Sequence, residues 1–149
     1  MKRAFMCFSS VGICLLAIAG QSNAQICASG KICLYNAGNY DEKDGVFKTT
    51  APLINNYTGH NFFGTNRDVN DDVSSLCNKT GKWVVFFRAK LHDQEAICVA
   101  PGKCHPRLGD FKFNPICGSP CGSMNDKLSS HKSYSGDPGN VCSPDWRVE

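Results

Sequence analysis

Two short runs of oxygen-bearing side chains are the strongest chemical signal in this 149-residue chain. Asn70-Asp71-Asp72-Val73-Ser74-Ser75 recurs 55 residues later as Asn125-Asp126-Lys127-Leu128-Ser129-Ser130, with four of the six positions identical and an apolar fourth position in both. Carboxylate, amide and hydroxyl oxygens gathered over so short a span suit calcium, a hard cation that takes roughly six to eight oxygen ligands in irregular loops. Asp71 and Asp126 would supply the charge; Ser74, Ser129 and neighbouring carbonyls would complete the shell. The alternative is a pair of Asx and serine turns that hold no ion. Duplication of the run within one small chain favours the ion.

The other chemistry-bearing residues form no constellation that catalysis needs. His60, His92, His105 and His131 are scattered, with no serine and aspartate at a recognisable spacing, and a lone histidine in a β loop reads as a surface residue. Glu42 with Asp44, and Asp93 with Glu95, read as solvated loop acids rather than carboxylates set across a cleft. No two cysteines are separated by two residues, so a redox dithiol has no seat. The chain is expected to bind, not to catalyse.

Lys2 and Arg3, the apolar stretch Val11–Ala19 and the small-residue site Ser22-Asn23-Ala24 read as a secretory signal over residues 1–24. Without it 125 residues remain, the size of one domain over 25–149, carrying eight cysteines and a net charge of +1. So small a charge gives no footprint for nucleic acid. No second apolar run reaches the roughly 20 residues that span a bilayer. Cys27, Cys33, Cys77, Cys98, Cys104, Cys117, Cys121 and Cys142 read as up to four disulfides formed in the periplasm or outside the cell, with the pairing left open. A zinc site of Cys98, Cys104, His105, Cys117 and Cys121 is the weaker reading, because the spacings miss the close pairs of zinc ribbons.

The elements that must position these residues are strands. No stretch keeps apolar residues at 3.6-residue spacing free of Gly, Pro and Asn, so an all-β chain is predicted. Strands are expected at 32–35, 83–87 and 96–99, with shorter ones at 46–48 and 111–113. Asn78-Lys79-Thr80-Gly81 is a turn, either a hairpin or a link between motifs. Both alternating sets of Trp83–Phe87 are apolar, which predicts packing on both faces. Phe62 and Phe63 are both expected inside. The tail from Ser119 should be mostly loop, tied down through Cys142 and Trp146. The sequons Asn56-Tyr57-Thr58 and Asn78-Lys79-Thr80 matter only in a eukaryotic secretory pathway.

Ile32-Cys33-Leu34-Tyr35 followed by Tyr40, Val84-Val85-Phe86-Phe87 followed by His92, and the two hexads together resemble the βγ-crystallin superfamily. Its Greek-key motif runs aromatic, four residues, aromatic, one residue, glycine and, later, Asn/Asp-Asn/Asp-x-x-Ser/Thr-Ser. The resemblance extends from about Ile32 to Ser130. Glu42 stands at the first glycine position, while His92 and Gln94 replace the second aromatic and glycine. A Cys-rich insertion over about 102–122 accounts for the long repeat. The resemblance implies an all-β, βγ-crystallin-like β-sandwich of two Greek-key motifs, about 32–76 and 83–131, with a tail over 132–149 and disulfide staples. It also implies up to two calcium ions, each held by the Asp-bearing loop of one motif and the Ser-bearing loop of the other. Asp71, Ser74, Asp126 and Ser129 are then side-chain ligands, and Asp72 and Lys127 offer backbone oxygens.

More narrowly, the Cys-Leu-Tyr start, the repeats and the exported disulfide framework resemble the bacterial secreted small metalloproteinase inhibitors of that superfamily. The implied function is a monomeric, non-enzymatic module that blocks an extracellular peptidase with a rigid loop, a prepaid conformation that lowers the ordering cost of binding. Cys98–Cys104 and Cys117–Cys121 are the first loops to consider. The alternative is a calcium-stabilised structural, host-interacting or killer-toxin-like extracellular protein on the same scaffold.

Overall fold

The computed structural model describes residues 27–94, 96–112 and 122–149. The expected signal segment, Glu95, and Cys117 and Cys121 with the loop between them lie outside the described residues. Among those described there are nine strands, joined by 3-10 turns and loops, and no α-helix. In the first sheet β1 (Ile32–Tyr35) lies between β2 (Val46–Thr49) and β4 (Ser75–Asn78), and β4 carries β7 (Cys104–His105) at the far edge. The second sheet runs β3 (Leu53–Ile54), β8 (Ser130–Tyr134), β5 (Trp83–Phe87), β6 (Ala96–Val99), β9 (Arg147–Val148). All pairings are antiparallel except that of β6 with β9.

Each motif lends a strand to the other's sheet. β3, from the first, pairs with β8, and β7, from the second, pairs with β4. Neither motif can therefore close its own sheet alone. Between the sheets Ile32, Leu34 and Leu76 meet Val84, Phe86, Ile97 and Val99, and the connections add Tyr57, Phe62, Leu108 and Met124. The intervening residues of β1 and β4 point the other way: Cys33, Tyr35 and Cys77 cluster with Cys27 and Val46. On β5 the outward Val85 and Phe87 are buried against Ala96, Cys98 and Cys142. The two apolar faces predicted for this strand are thus met by the core on one side and the tail on the other.

Three disulfides join Cys27 to Cys33, Cys77 to Cys104 and Cys98 to Cys142. Cys98 and Cys104 are consumed in them, which removes the zinc alternative. Cys77–Cys104 links directly opposed residues of β4 and β7. Cys98–Cys142 ties the tail to β6, where β9 then pairs.

Several expectations need correction. Of the short strand expected at 111–113, Phe111 is buried but not in a strand, because it ends the 3-10 turn Leu108–Asp110 and its N–H donates to Leu108 O at 3.2 Å; Lys112 forms a bridge to Ser123, and Phe113 lies outside the described residues. Phe62 is inside at 1% exposure, but Phe63 is 85% exposed. His131 is fully buried, because strand β8 carries it into the interior. β7 is the counterpart of β3, and Lys112 bridges to Ser123 as Asn61 does to Asp68.

The turn at Asn78 is the link between motifs. Buried Asn78 accepts from Thr80 N and Oγ1 and donates to Lys82 O and Val99 O, so its amide is engaged and closed to a glycan.

Candidate functional site

Each hexad is fixed by its apolar fourth residue. Val73 and Leu128 are fully buried, and this seats the preceding aspartates at the join between the motifs. Asp71 and Asp126 adopt φ of 56° and 54°, a left-handed conformation that short polar side chains tolerate better than most. Their backbones cross over: Asp71 N–H donates to Leu128 O at 3.1 Å and Asp126 N–H to Val73 O at 3.0 Å. The side chains cross too. Ser129 Oγ donates to Asp71 Oδ1 at 2.9 Å, and Ser74 Oγ to Asp126 Oδ1 at 3.3 Å. The first residue of each run serves the second, since Asn70 Nδ2 reaches Asp71 Oδ2 at 2.9 Å and Asn125 Nδ2 reaches Asp126 Oδ2 at 2.6 Å.

The last serine of each run holds the folded hairpin of its own motif. Ser75 Oγ donates to Ala37 O at 2.7 Å and accepts from Tyr40 N–H; Ser130 Oγ donates to Ala89 O at 2.6 Å and accepts from His92 N–H. Tyr40 packs edge-on against Tyr35 at 5.8 Å between centroids, and His92 against Phe87 at 5.2 Å, so histidine takes the second aromatic's place. The glycine departures are also accommodated. Both hairpins take positive φ at a matching pair, Asn39 and Tyr40 in the first and Leu91 and His92 in the second; beyond the pair Gln94 itself adopts φ 64°, and in the first hairpin Gly45 adopts φ 106°, where an added Cβ would lie 2.7 Å from Phe62 Cβ.

Asp71, Ser129, Asp126 and Ser74 are therefore brought together crosswise, as two pairs. Asp72 and Lys127 follow in sequence with unlike surroundings. The Asp72 carboxylate receives two bonds of 2.8 Å from the Arg67 guanidinium, and its carbonyl accepts from Asn36 Nδ2 at 2.9 Å. Lys127 is exposed. Burial, then the charge of Asp72, raise the Asp126 pKa above the ordinary carboxylate value, against hydrogen bonds from Ser74 and Asn125 and the charge of Lys127. Every donor in the two pairs is a hard oxygen, and Asn70 Oδ1 is buried without a hydrogen-bond partner. That donor set fits calcium. Among the described residues no three His, Cys, Asp or Glu side chains gather, so such an ion would rest largely on hydroxyl and carbonyl oxygens.

Sequence reasoning missed His131 as an internal polar joint. Its Nε2–H donates to Ala51 O at 2.9 Å, and its Nδ1 accepts from Tyr57 O–H at 2.8 Å, which fixes the neutral tautomer. Burial pushes its pKa down to about 4, with nearby His92 and His60 adding to the effect and the bond to Ala51 opposing it.

Two exposed turns are held rigidly. Residues 100–103 lie between Cys98 and Cys104, with Lys103 N–H donating to Ala100 O and Lys79 Nζ to Gly102 O. At the opposite edge of the first sheet, residues 62–67 close beside β2, with Phe63 N–H donating to Val46 O and Phe62 N–H to Arg67 O.

The model of peptidase inhibitor family I36 matches residues 20–99, more than half the chain. Among solved structures, one from work on the evolution of the eye-lens βγ-crystallin domain fold is 19% identical, with a TM-score of 0.54 over 74% of this chain and 90% of its own. A βγ-crystallin from Ciona intestinalis is 23% identical (TM-score 0.49, 70% of this chain and 99% of that one). An archaeal βγ-crystallin is 19% identical (TM-score 0.46, 72% and 100%). The first of these establishes the two-motif βγ-crystallin fold. No curated protein matches the sequence.

Proposed function

This chain belongs to peptidase inhibitor family I36, and on that premise we propose that it is an exported module that inhibits a secreted peptidase and takes up calcium between its motifs. The family match carries the reading, and the family makes the protein a non-enzymatic binder. Its architecture suits the task. Three disulfides, an exchanged strand in each sheet and two crosswise Asp–Ser pairs leave the surface loops little freedom to lose on docking. The disulfides support an oxidising compartment, and residues 1–24 supply the export signal in this reading.

Calcium would be held by Asp71 with Ser129 and by Asp126 with Ser74, helped by the Asp72 and Lys127 carbonyls. When bound it supplies positive charge that fastens one motif to the other. The chain's own residues do the rest: Val73 and Leu128 seat the aspartates, and Ser75 and Ser130 hold the hairpins beside them.

The test is a panel of purified secreted zinc endopeptidases, each assayed with a peptide substrate in the presence of the oxidised protein and calcium. Saturable, reversible inhibition of at least one is expected. Inertness across the panel would contradict the inhibitor reading and favour a calcium-stabilised extracellular structural domain.

A further inference from the structure

We propose that Phe63 is the peptidase-docking anchor, inserted into an apolar specificity pocket of a secreted endopeptidase; this rests on the inhibitor reading. Phe63 is the most exposed large apolar side chain among the described residues, at 85%, and its neighbour Phe62 is 1% exposed. Leaving one aromatic in water while its neighbour fills the core is a local cost that nothing within the fold explains. The backbone beneath it is pinned. Phe63 N–H donates to Val46 O at 2.8 Å, Phe62 N–H to Arg67 O at 3.0 Å, Thr65 N–H to Phe62 O at 3.1 Å and Arg67 N–H to Thr65 Oγ1 at 3.1 Å. Arg67 then clamps the far leg to Asp72 and to Asn36 Oδ1. An exposed aromatic on a backbone already ordered is the arrangement expected of a binding hot spot.

The surroundings match a cleft rather than a flat partner. Phe63 borders a groove of about 460 Å³ lined also by Val46, Phe47, Asn61 and the Glu42–Lys48 ion pair. This is an apolar centre with a polar edge. β2 is the edge strand here. Its Val46 carbonyl faces outward and accepts from Phe63 N–H, so the chain's own residues 61–63 lie along this edge and hold the anchor against it.

Gly64 takes φ 78°, so the chain turns away immediately after the anchor. Phe63 can fill a pocket while the Phe63–Gly64 bond leaves the extended geometry that peptidase clefts bind, and the inhibitor is not consumed. The turn at 100–103 is equally rigid, but its exposed residues Pro101, Gly102 and Lys103 offer no large apolar side chain.

The experiment measures inhibition constants of the oxidised full protein against purified secreted zinc and serine endopeptidases that cleave beside large apolar residues. Phe63→Ala should raise the constant by roughly 10- to 100-fold, and Phe63→Leu should recover most of the loss. Leu91→Ala, the same kind of truncation at another exposed apolar side chain, should change it less than about twofold. Mass spectrometry after prolonged incubation should find the Phe63–Gly64 bond intact. Unchanged inhibition by Phe63→Ala, or loss only when Pro101–Lys103 is replaced by Gly-Ser-Gly, overturns the docking assignment and leaves the inhibitor reading standing. A wild-type protein that inhibits no enzyme of the panel overturns both.

Discussion

Ser129 belongs to the second motif and donates to a carboxylate of the first, and Ser74 returns the bond in the opposite sense. Removing either hydroxyl deprives a charged acceptor of its cross-motif donor. Ser129→Ala should lower calcium-free stability by about 1–2 kcal/mol, read as a shift of the urea midpoint. Calorimetric titration with calcium should give heats that vanish in the Asp71→Ala, Asp126→Ala double variant; heats that survive both changes would place the ion elsewhere. His131 sets a pH window. Its pKa is about 4 in the folded protein against an ordinary value of 6.5, so the unfolded chain binds the proton first. Stability is then fully present above pH 6.5 and falls as pH drops towards 4, by about 2–3 kcal/mol at pH 4.5. His131→Gln should flatten the profile there.

At the scale of the hairpin, Gly45 decides whether β2 can return beside β1. Gly45→Ala places a Cβ 2.7 Å from Phe62 Cβ at φ 106°, and should cost about 2 kcal/mol or more in denaturant unfolding. Leu91, exposed at φ 60°, has the opposite sign: Leu91→Gly should stabilise by up to about 1 kcal/mol. The long apolar strands β1, β5 and β6 were legible in the sequence because their residue types alone specify burial. β3, β7 and β9 were not, since two-residue strands exist only through the partner that receives them. β8, Ser-His-Lys-Ser-Tyr, reads as polar surface, and its place between β3 and β5 is what buries His131. The crosswise Asp–Ser pairing was legible through the duplicated hexads and the family resemblance. The Tyr57–His131 joint was not, because 74 residues separate its members and no spacing signals it. Phe62 and Phe63 look alike in sequence; only the strand edge beside Val46 separates them.

The whole molecule is two motifs that cannot be taken apart without breaking sheets, since each lends the other a strand. Cys77–Cys104 fastens one of those loaned strands, and Cys98–Cys142 fastens the tail over the second sheet's outer face. Replacing either pair by serine should cost roughly 2–4 kcal/mol, and the loss at Cys77–Cys104 should loosen both motifs together in hydrogen exchange. Among the described residues no helix is long and apolar enough to cross a membrane, and the family assignment points to a peptidase as partner. The most direct test of the account is a progress-curve measurement with a secreted endopeptidase, a peptide substrate and the protein, before and after reduction of its disulfides, with the protein and peptide alone as a control. The account predicts reversible one-to-one inhibition by the oxidised form, loss of that inhibition on reduction, and no cleavage in the control. Cleavage of the peptide by this protein on its own, or no inhibition by the oxidised form, would contradict it.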